Sequence, residues 1–167
     1  MKSKKLSPTN ILIISIVAIV AVLVIIFAVI QSNYSTKVKN ITVTANSGPV
    51  SPEFQQTQTI SISKNSCEFT TVRTQSQQTT TEPCKVLAGK FEEIQKEAAT
   101  YDLVGKVLAN QKDSESDLLG GKEYTIQVTL NDGSTFKTVA DNNFIQSLEP
   151  FFDNLNIYVP FFSRIGL

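Results

Sequence analysis

An uninterrupted apolar segment near the N-terminus constrains this chain more than any other feature. It begins at Ile11, ends at Ile30, carries no charge, and has Ile, Val, Leu or Phe at sixteen of its twenty positions. A helix of twenty residues spans about 30 Å, the thickness of a bilayer's hydrocarbon core. Inserting these side chains into a membrane is favourable by about 6 kcal/mol. The segment is therefore predicted to be a transmembrane helix.

The charges around this segment predict its orientation. Lys2, Lys4 and Lys5 precede it, and the first acidic residue is Glu53. The positive-inside rule then places the N-terminus in the cytoplasm. A cleaved signal peptide is the alternative, but its apolar region has about 7–15 residues and ends at a small-x-small site. We predict an uncleaved signal anchor with four parts: a cytoplasmic tail (1–10), the transmembrane helix (11–30), a stalk (31–38) and an extracytoplasmic domain (39–167).

The composition after the anchor excludes several functional classes. About 137 residues remain, enough for one domain with a core. They carry 12 basic and 15 acidic residues without a basic stripe, so no nucleic-acid partner is expected. The sequence has no histidine, which excludes Ser-His-Asp and Cys-His catalysis and His-ligated zinc. We therefore expect that the protein is not an enzyme, and we predict no catalytic, cofactor-binding or metal-binding residue.

Two cysteines, Cys67 and Cys84, follow the anchor. An even pair in a translocated domain usually forms a disulfide. This disulfide would close a loop of 18 residues and contribute about 3 kcal/mol. A catalytic redox pair normally has C-x-x-C spacing. We therefore predict a structural disulfide that ties the third strand to the start of the first helix.

Alternation of apolar and polar residues predicts five strands, at 39–45, 57–64, 67–73, 123–130 and 134–140. The turn Asn131-Asp132-Gly133 joins the last two strands. Residues 75–81 are predicted to form a polar loop. Strands with one apolar face form an antiparallel sheet whose other face is wet, so two amphipathic helices must cover the apolar face. The predicted fold is α+β, in the order β-β-β-α-β-β-α.

The two helices are predicted from apolar positions three and four residues apart. The first begins at Pro83, with Thr81 or Glu82 as its cap, and its apolar face consists of Leu87, Phe91, Ile94 and Ala98. The next apolar residues, Tyr101, Leu103, Val104 and Val107, show no helical rhythm, which indicates a packed connection at 101–107. The second begins at Asp141 or Asn142, is kinked or divided at Pro150, and has an apolar face of Phe144, Leu148, Phe151 or Phe152, and Leu155.

The C-terminal segment 157–167 is more apolar than the predicted core requires. Phe161 and Phe162 are its largest side chains. Three interpretations remain open: a further strand of the sheet, a plug over the helix interrupted at Pro150, or a docking surface for a partner.

Other candidate sites have simpler structural interpretations. Oxygen ligands for calcium are offered by Asp113, Glu115 and Asp117, but the loop lacks the EF-hand register, so a solvated charged loop is favoured. The adjacent Glu92 and Glu93 are expected on the solvated face of a helix. Glycan acceptor patterns begin at Asn33 and Asn40, which chance also produces in a Ser- and Thr-rich chain. Gly120-Gly121 precedes a strand rather than a helix, which indicates a turn and not a phosphate-binding loop.

The order of elements from Asn40 to Leu155 resembles the emfourin-like family, small α+β domains that include an inhibitor of thermolysin-like metallopeptidases (the protealysin inhibitor-like domains). The positions that carry the resemblance are Ile41-x-Val43, Ser47-Gly48, Tyr101-x-Leu103, Asp117, Tyr124-x-Ile126-x-Val128 and Leu148-Glu149-Pro150-Phe151. The anchor and the cysteine pair depart from the soluble inhibitor, and no inhibitory motif can be carried over. The resemblance implies a non-catalytic domain that binds an extracytoplasmic protein, for example a peptidase.

A pilin-like or other structural envelope subunit is the alternative, because pilins also begin with an apolar helix ahead of a β-rich head. Pilins resemble one another in a Gly-Phe cleavage site and in a Glu five residues into the mature helix. This chain has neither, since its first acidic residue is Glu53. A membrane-anchored protein-binding domain is therefore the preferred prediction.

Protease treatment of intact cells tests the predicted orientation. We expect the C-terminal domain to be degraded while an N-terminal epitope tag stays protected, because the lysines keep the N-terminus in the cytoplasm. Immunoblotting against tags at both ends measures this. Protection of the C-terminal tag, or a mature chain that begins after Gln31, would contradict it.

Overall fold

The computed structural model describes residues 15–24, 38–48, 50–111 and 122–166. A six-stranded antiparallel sheet has the spatial order β4-β3-β2-β1-β5-β6. Its strands are β1 (Val38–Asn46), β2 (Gln56–Ser63), β3 (Cys67–Arg73), β4 (Thr79–Pro83), β5 (Glu123–Leu130) and β6 (Thr135–Ala140). The α-helices are α1 (Lys90–Thr100), α2 (Leu103–Asn110), α3 (Asn142–Ser147) and α4 (Glu149–Tyr158), and 3-10 helices span Pro52–Phe54 and Pro160–Ile165. The predicted α+β class is confirmed.

The centre of the sheet is an aliphatic ladder on its inner face. Ile41 of β1 lies in register between Ile62 of β2 and Val128 of β5. The next inner position, Val43, lies between Ile60 and Ile126. All six side chains are fully buried. The five predicted strands are confirmed, because alternation correctly identifies strands with one buried face.

The predicted apolar faces of the helices are largely confirmed. In α1, Phe91, Ile94 and Ala98 are buried. The Asp141 side chain caps α3, where its Oδ1 accepts the backbone N–H of Phe144 at 2.7 Å. Pro150 lies in the first turn of α4, so the expected division into two helices is also confirmed.

The predicted start of the first helix at Pro83 is wrong, and so is the predicted loop at 75–81. Residues Thr79–Pro83 form β4, which pairs with β3, and α1 begins only at Lys90. Leu87 lies outside the helix with 42% of its surface exposed. A short edge strand needs no buried residue, so its polar sequence lacks the alternation by which strands are predicted. The observed order is β-β-β-β-α-α-β-β-α-α.

The predicted connection at 101–107 is also wrong, because Leu103–Asn110 form the helix α2. Asp102 caps this helix by accepting the N–H of Gly105 at 3.3 Å. Any side chain at Gly105 would collide with the Asp102 carboxylate. The helix has only eight residues, too few to establish a helical period in the sequence.

The C-terminal segment packs into the core, partly as the 3-10 helix Pro160–Ile165. Phe162 and Ile165 are fully buried, and the Phe162 ring stacks on Phe152 with a centroid distance of 6.1 Å. The Tyr124 hydroxyl donates to the Gly166 carbonyl at 2.8 Å, and burial raises the pKa of Tyr124. A structural role is therefore favoured over a docking surface, and the described part of the segment adds no strand to the sheet.

The predicted disulfide between Cys67 and Cys84 is confirmed, with a Cα–Cα distance of 4.9 Å. Its predicted placement needs correction. Cys84 directly follows β4, and its N–H donates to the Cys67 carbonyl at 2.9 Å. The bond therefore joins the ends of two neighbouring strands and does not reach the first helix.

Half of the predicted anchor, residues 15–24, is helical and exposed. Its other half, the tail at 1–10 and residues 31–37 of the stalk lie outside the described residues, while Val38 already belongs to β1. Within the described ranges, none of the helices combines the length and the apolarity needed to cross a membrane.

Replacing Phe162 with alanine tests the structural role of the C-terminal segment. We expect Phe162→Ala to lower the free energy of unfolding by about 3–5 kcal/mol, because it leaves a cavity beside Phe152. Ile157→Ala is the control and should change it by less than about 0.5 kcal/mol, since Ile157 is 63% exposed. Urea denaturation of the full chain in detergent, followed by circular dichroism, measures both. An equal decrease in the free energy of unfolding for both variants would contradict the structural role of the C-terminal segment.

Candidate functional site

The helices leave one end of the inner face uncovered. At this end the inward positions of β2 and β3 change from apolar to polar along each strand. Beyond Ile60 come Gln58 and Gln56, and beyond Phe69 come Thr71 and Arg73. A cleft of about 440 Å³ opens there, lined by Gln56, Gln58, Phe69, Thr71, Arg73, Thr80, Glu82 and Arg164. We call it the arginine cleft.

Both arginines of the chain line this cleft. The sequence contains thirteen lysines but only two arginines, Arg73 and Arg164, which are far apart in the sequence. A guanidinium group presents a rigid planar fork of donors that matches the geometry of a carboxylate, whereas an ammonium group does not. The position of these two residues therefore singles out the cleft as the candidate binding site.

Arg164 forms one wall of the cleft and is held by several contacts. Its guanidinium donates to the Glu82 carboxylate at 2.9 Å. It also lies over two aromatic rings, 4.6 Å from the Phe161 centroid and 5.5 Å from that of Phe69. Because Arg164 belongs to the 3-10 helix Pro160–Ile165, these contacts attach the C-terminal segment to β3 and β4. Arg164 therefore serves mainly to hold the 3-10 helix against β3 and β4, and this packing forms one wall of the cleft.

Arg73 has a different environment at the end of β3. Its side chain is exposed, and it forms no ion pair with a carboxylate among the described residues. Gln56 lies opposite it on β2. In the neighbouring row, Thr71 lies between Gln58 and Thr80. Arg73 thus offers its charge among amide and hydroxyl groups, which suits an acidic ligand.

A loop with two exposed apolar side chains borders the same end of the sheet. It connects β1 to β2 and exposes 70% of Phe54 and 40% of Val50. The Gln55 carbonyl accepts the N–H of Thr74 at 3.0 Å, which ties this loop to the residue after Arg73. Exposed aromatic residues and arginines are enriched in protein–protein interfaces. This end therefore combines the two residue types that such interfaces favour.

The structure does not bring the other candidates into a site. Glu92 pairs with Lys64 at 3.1 Å, and the hydrogen bond from that lysine lowers the pKa of Glu92. Glu93 pairs with Lys96 at 3.0 Å. Both glutamates lie on the solvated face of α1, as predicted. No group of metal-ligating side chains occurs within the described ranges.

The remaining candidates fall on a strand or outside the described residues. The Asn40 side chain is occupied on the outer face of the sheet, where its amide donates to Thr42 at 2.9 Å and its oxygen accepts from Ser61 at 3.1 Å. Several positions that were weighed as candidates lie outside the described residues: Asn33, Asp113, Glu115, Asp117 and Gly120-Gly121.

Arg73 and Arg164 are not among the candidates predicted from the sequence. The one available signal was the scarcity of arginine beside thirteen lysines. Scarcity alone does not show that two distant residues meet in space, because that depends on where the C-terminal segment packs. No protein-family model, curated protein or solved structure matches this chain, so its function must be inferred from the geometry of the cleft.

Glutamine substitutions separate the roles of the two arginines. We expect Arg164→Gln to lower the free energy of unfolding by about 1 kcal/mol, because it removes an ion pair and two cation–π contacts. Arg73→Gln should change it by less than about 0.5 kcal/mol, since its side chain is exposed. Urea denaturation of the full chain in detergent measures both. A larger loss for Arg73→Gln would contradict this division of roles.

Proposed function

We propose that this chain is a membrane-anchored, extracytoplasmic and non-catalytic domain that binds a protein partner through the arginine cleft. The observation that carries the proposal is the convergence of both arginines on one open, polar end of the sheet. Arg164 is held by Glu82, while Arg73 keeps its charge available. An arginine that lines a concave polar surface and has no carboxylate partner among the described residues favours recognition over stability.

The membrane anchor is supported by the exposure of the helical residues 15–24. Ile16, Val20 and Leu23 are each more than half exposed. A helix that is apolar on every face suits lipid rather than water. The three lysines before it favour a cytoplasmic N-terminus, and the disulfide suits an oxidising compartment outside the cytoplasm.

The direction of β1 supports a cleft that is accessible to a partner. β1 begins at Val38, the end nearer the predicted anchor in the sequence, and runs to Asn46. Nine strand residues extend about 30 Å. Asn46 pairs with Thr57, and Thr57 neighbours Gln56 of the cleft. The cleft therefore lies at the end of β1 opposite to the one that the anchor precedes.

A non-catalytic role is supported by the chemistry of the cleft. Without histidine, the hydroxyls of Thr71 and Thr80 would need a carboxylate or an amine as a base. Glu82, the carboxylate in the described lining, is already engaged by Arg164. These groups suit binding better than proton transfer.

Affinity capture tests the proposal. We expect the full chain in detergent to retain a protein from a cell-surface extract. We expect Arg73→Gln to reduce the amount of retained protein at least tenfold, because a charge-assisted contact is removed. Lys137→Gln is the matched control, since it removes an exposed charge on β6, away from the cleft, and should retain the partner.

The resemblance to the emfourin-like family identifies a peptidase as the first partner to test. Inhibition of casein cleavage by a thermolysin-like peptidase measures this directly. Equal capture by wild type and Arg73→Gln would refute the cleft as the binding site. Turnover of a substrate that depends on a named side chain would refute the non-catalytic role.

A further inference from the structure

We infer that the partner presents an extended acidic segment that pairs with the open edge of β4 and places a carboxylate against Arg73. This inference rests on the proposed function, because it names the chemistry of the partner for the same cleft. Two independent observations carry it: the difference between the two edges of the sheet, and the distribution of charge in the cleft.

The edge formed by β6 is closed by side chains. The Val139 carbonyl accepts the Asn110 side-chain amide at 2.7 Å. The Lys137 carbonyl accepts the Gln111 side-chain amide at 2.6 Å. Both carbonyls point away from β5, so the residues at the end of α2 occupy the positions that an added strand would need. Natural proteins cover exposed strand edges in this way to prevent pairing.

The edge formed by β4 is exposed at Thr79, Thr81 and Pro83, and no described residue covers it. The Cys84 N–H donates to Cys67, and the Arg73 N–H donates to the Gln78 carbonyl at 3.0 Å. Hydrogen bonding alternates along an antiparallel strand, so the even-numbered residues 78–84 face β3. The backbone groups of Thr79 and Thr81 therefore point away from the sheet. An extended segment can pair with these groups by β-augmentation.

The covalent structure of β4 suits a docking edge. The disulfide fixes its C-terminal end to β3, so the edge is rigid before a partner arrives. Pro83 also lies at an outward position, where its missing N–H breaks no bond to β3. A partner strand therefore finds donors and acceptors at Thr79 and Thr81 and an acceptor at Pro83.

The charges predict where the acidic residue of the partner lies. The inner face of β4 carries Glu82 near one end, and this carboxylate is paired with Arg164. Because Glu82 already compensates the charge of Arg164, this end offers no net positive charge to a second carboxylate. At the other end, Arg73 and Gln56 share a row with Gln78, and this row is free of described acidic residues. The acidic side chain is thus directed to Arg73, across β4 from the added strand.

Selection from a random peptide library tests the inference directly. The full chain in lipid nanodiscs is used to select from a phage library of random octapeptides, with empty nanodiscs as the background. We expect enrichment of peptides with Asp or Glu and with residues of high strand propensity. One selected peptide is then synthesised with a fluorophore, and its Kd is measured by anisotropy.

Two protein variants distinguish the contribution of the β4 edge to peptide binding from that of the cleft. We expect Arg73→Gln to weaken binding about tenfold or more, because it removes the charge-assisted contact. Thr81→Pro should weaken it similarly, because it removes an outward N–H and none of the bonds to β3. Thr81→Val keeps this N–H and should bind as wild type does. Methylating alternate backbone nitrogens of the peptide should abolish binding without any change to the protein.

The outcomes distinguish this inference from the proposed function. Binding that depends on Arg73 but tolerates both Thr81→Pro and the methylated peptide would overturn the edge pairing and leave the cleft as the binding site. No enrichment of acidic peptides would overturn the inference, and affinity capture insensitive to Arg73→Gln would overturn the proposed function with it. Self-association of the chain that Thr81→Pro abolishes would assign the edge to a second copy and overturn the inference.

Discussion

Pairing of β1 on both of its sides is the interaction on which the rest of the structure depends. β1 pairs with β2 and with β5, although β5 follows it only after β2–β4 and two helices. Ile41 and Val43 occupy the middle of the buried ladder that results. Shifting β1 by one residue would bury Thr42 and Thr44 instead, so the register is strongly determined. This register fixes which residues of the neighbouring strands face inward, and it places the polar inward residues of β2 at the end where the cleft opens.

The cleft exists because the buried core covers only part of the length of β2 and β3. Each strand of the β2–β3 pair has buried residues at one end only, and its remaining inward positions are polar. Polar inner positions need no cover, so the helices pack where Ile60 and Phe69 require burial. The 3-10 helix Pro160–Ile165 ends the covered region, and Arg164 forms its boundary with the cleft. One segment therefore both completes the core and shapes the site.

The outer face of the sheet has a different character. One row across five strands consists of threonine, namely Thr81, Thr70, Thr59, Thr44 and Thr125. The hydroxyls of Thr44 and Thr59 are 3.1 Å apart, and those of Thr70 and Thr81 are 3.3 Å apart. β-branched side chains favour strand backbone while their hydroxyls remain solvated. This composition keeps one face of the sheet wet while the strands remain regular.

Local residue patterns were enough to predict the α+β class, five of the six strands, the division at Pro150 and the disulfide pair, because each leaves a signal in periodicity, in turn residues or in cysteine count. β4 and α2 were not predicted, because β4 buries no side chain and α2 is too short to show a helical period. The folded chain was needed to show that the C-terminal segment belongs to the core and that Arg73 and Arg164 line one cleft. Their proximity depends on Phe162 packing against Phe152, a contact between distant elements that local residue patterns do not encode.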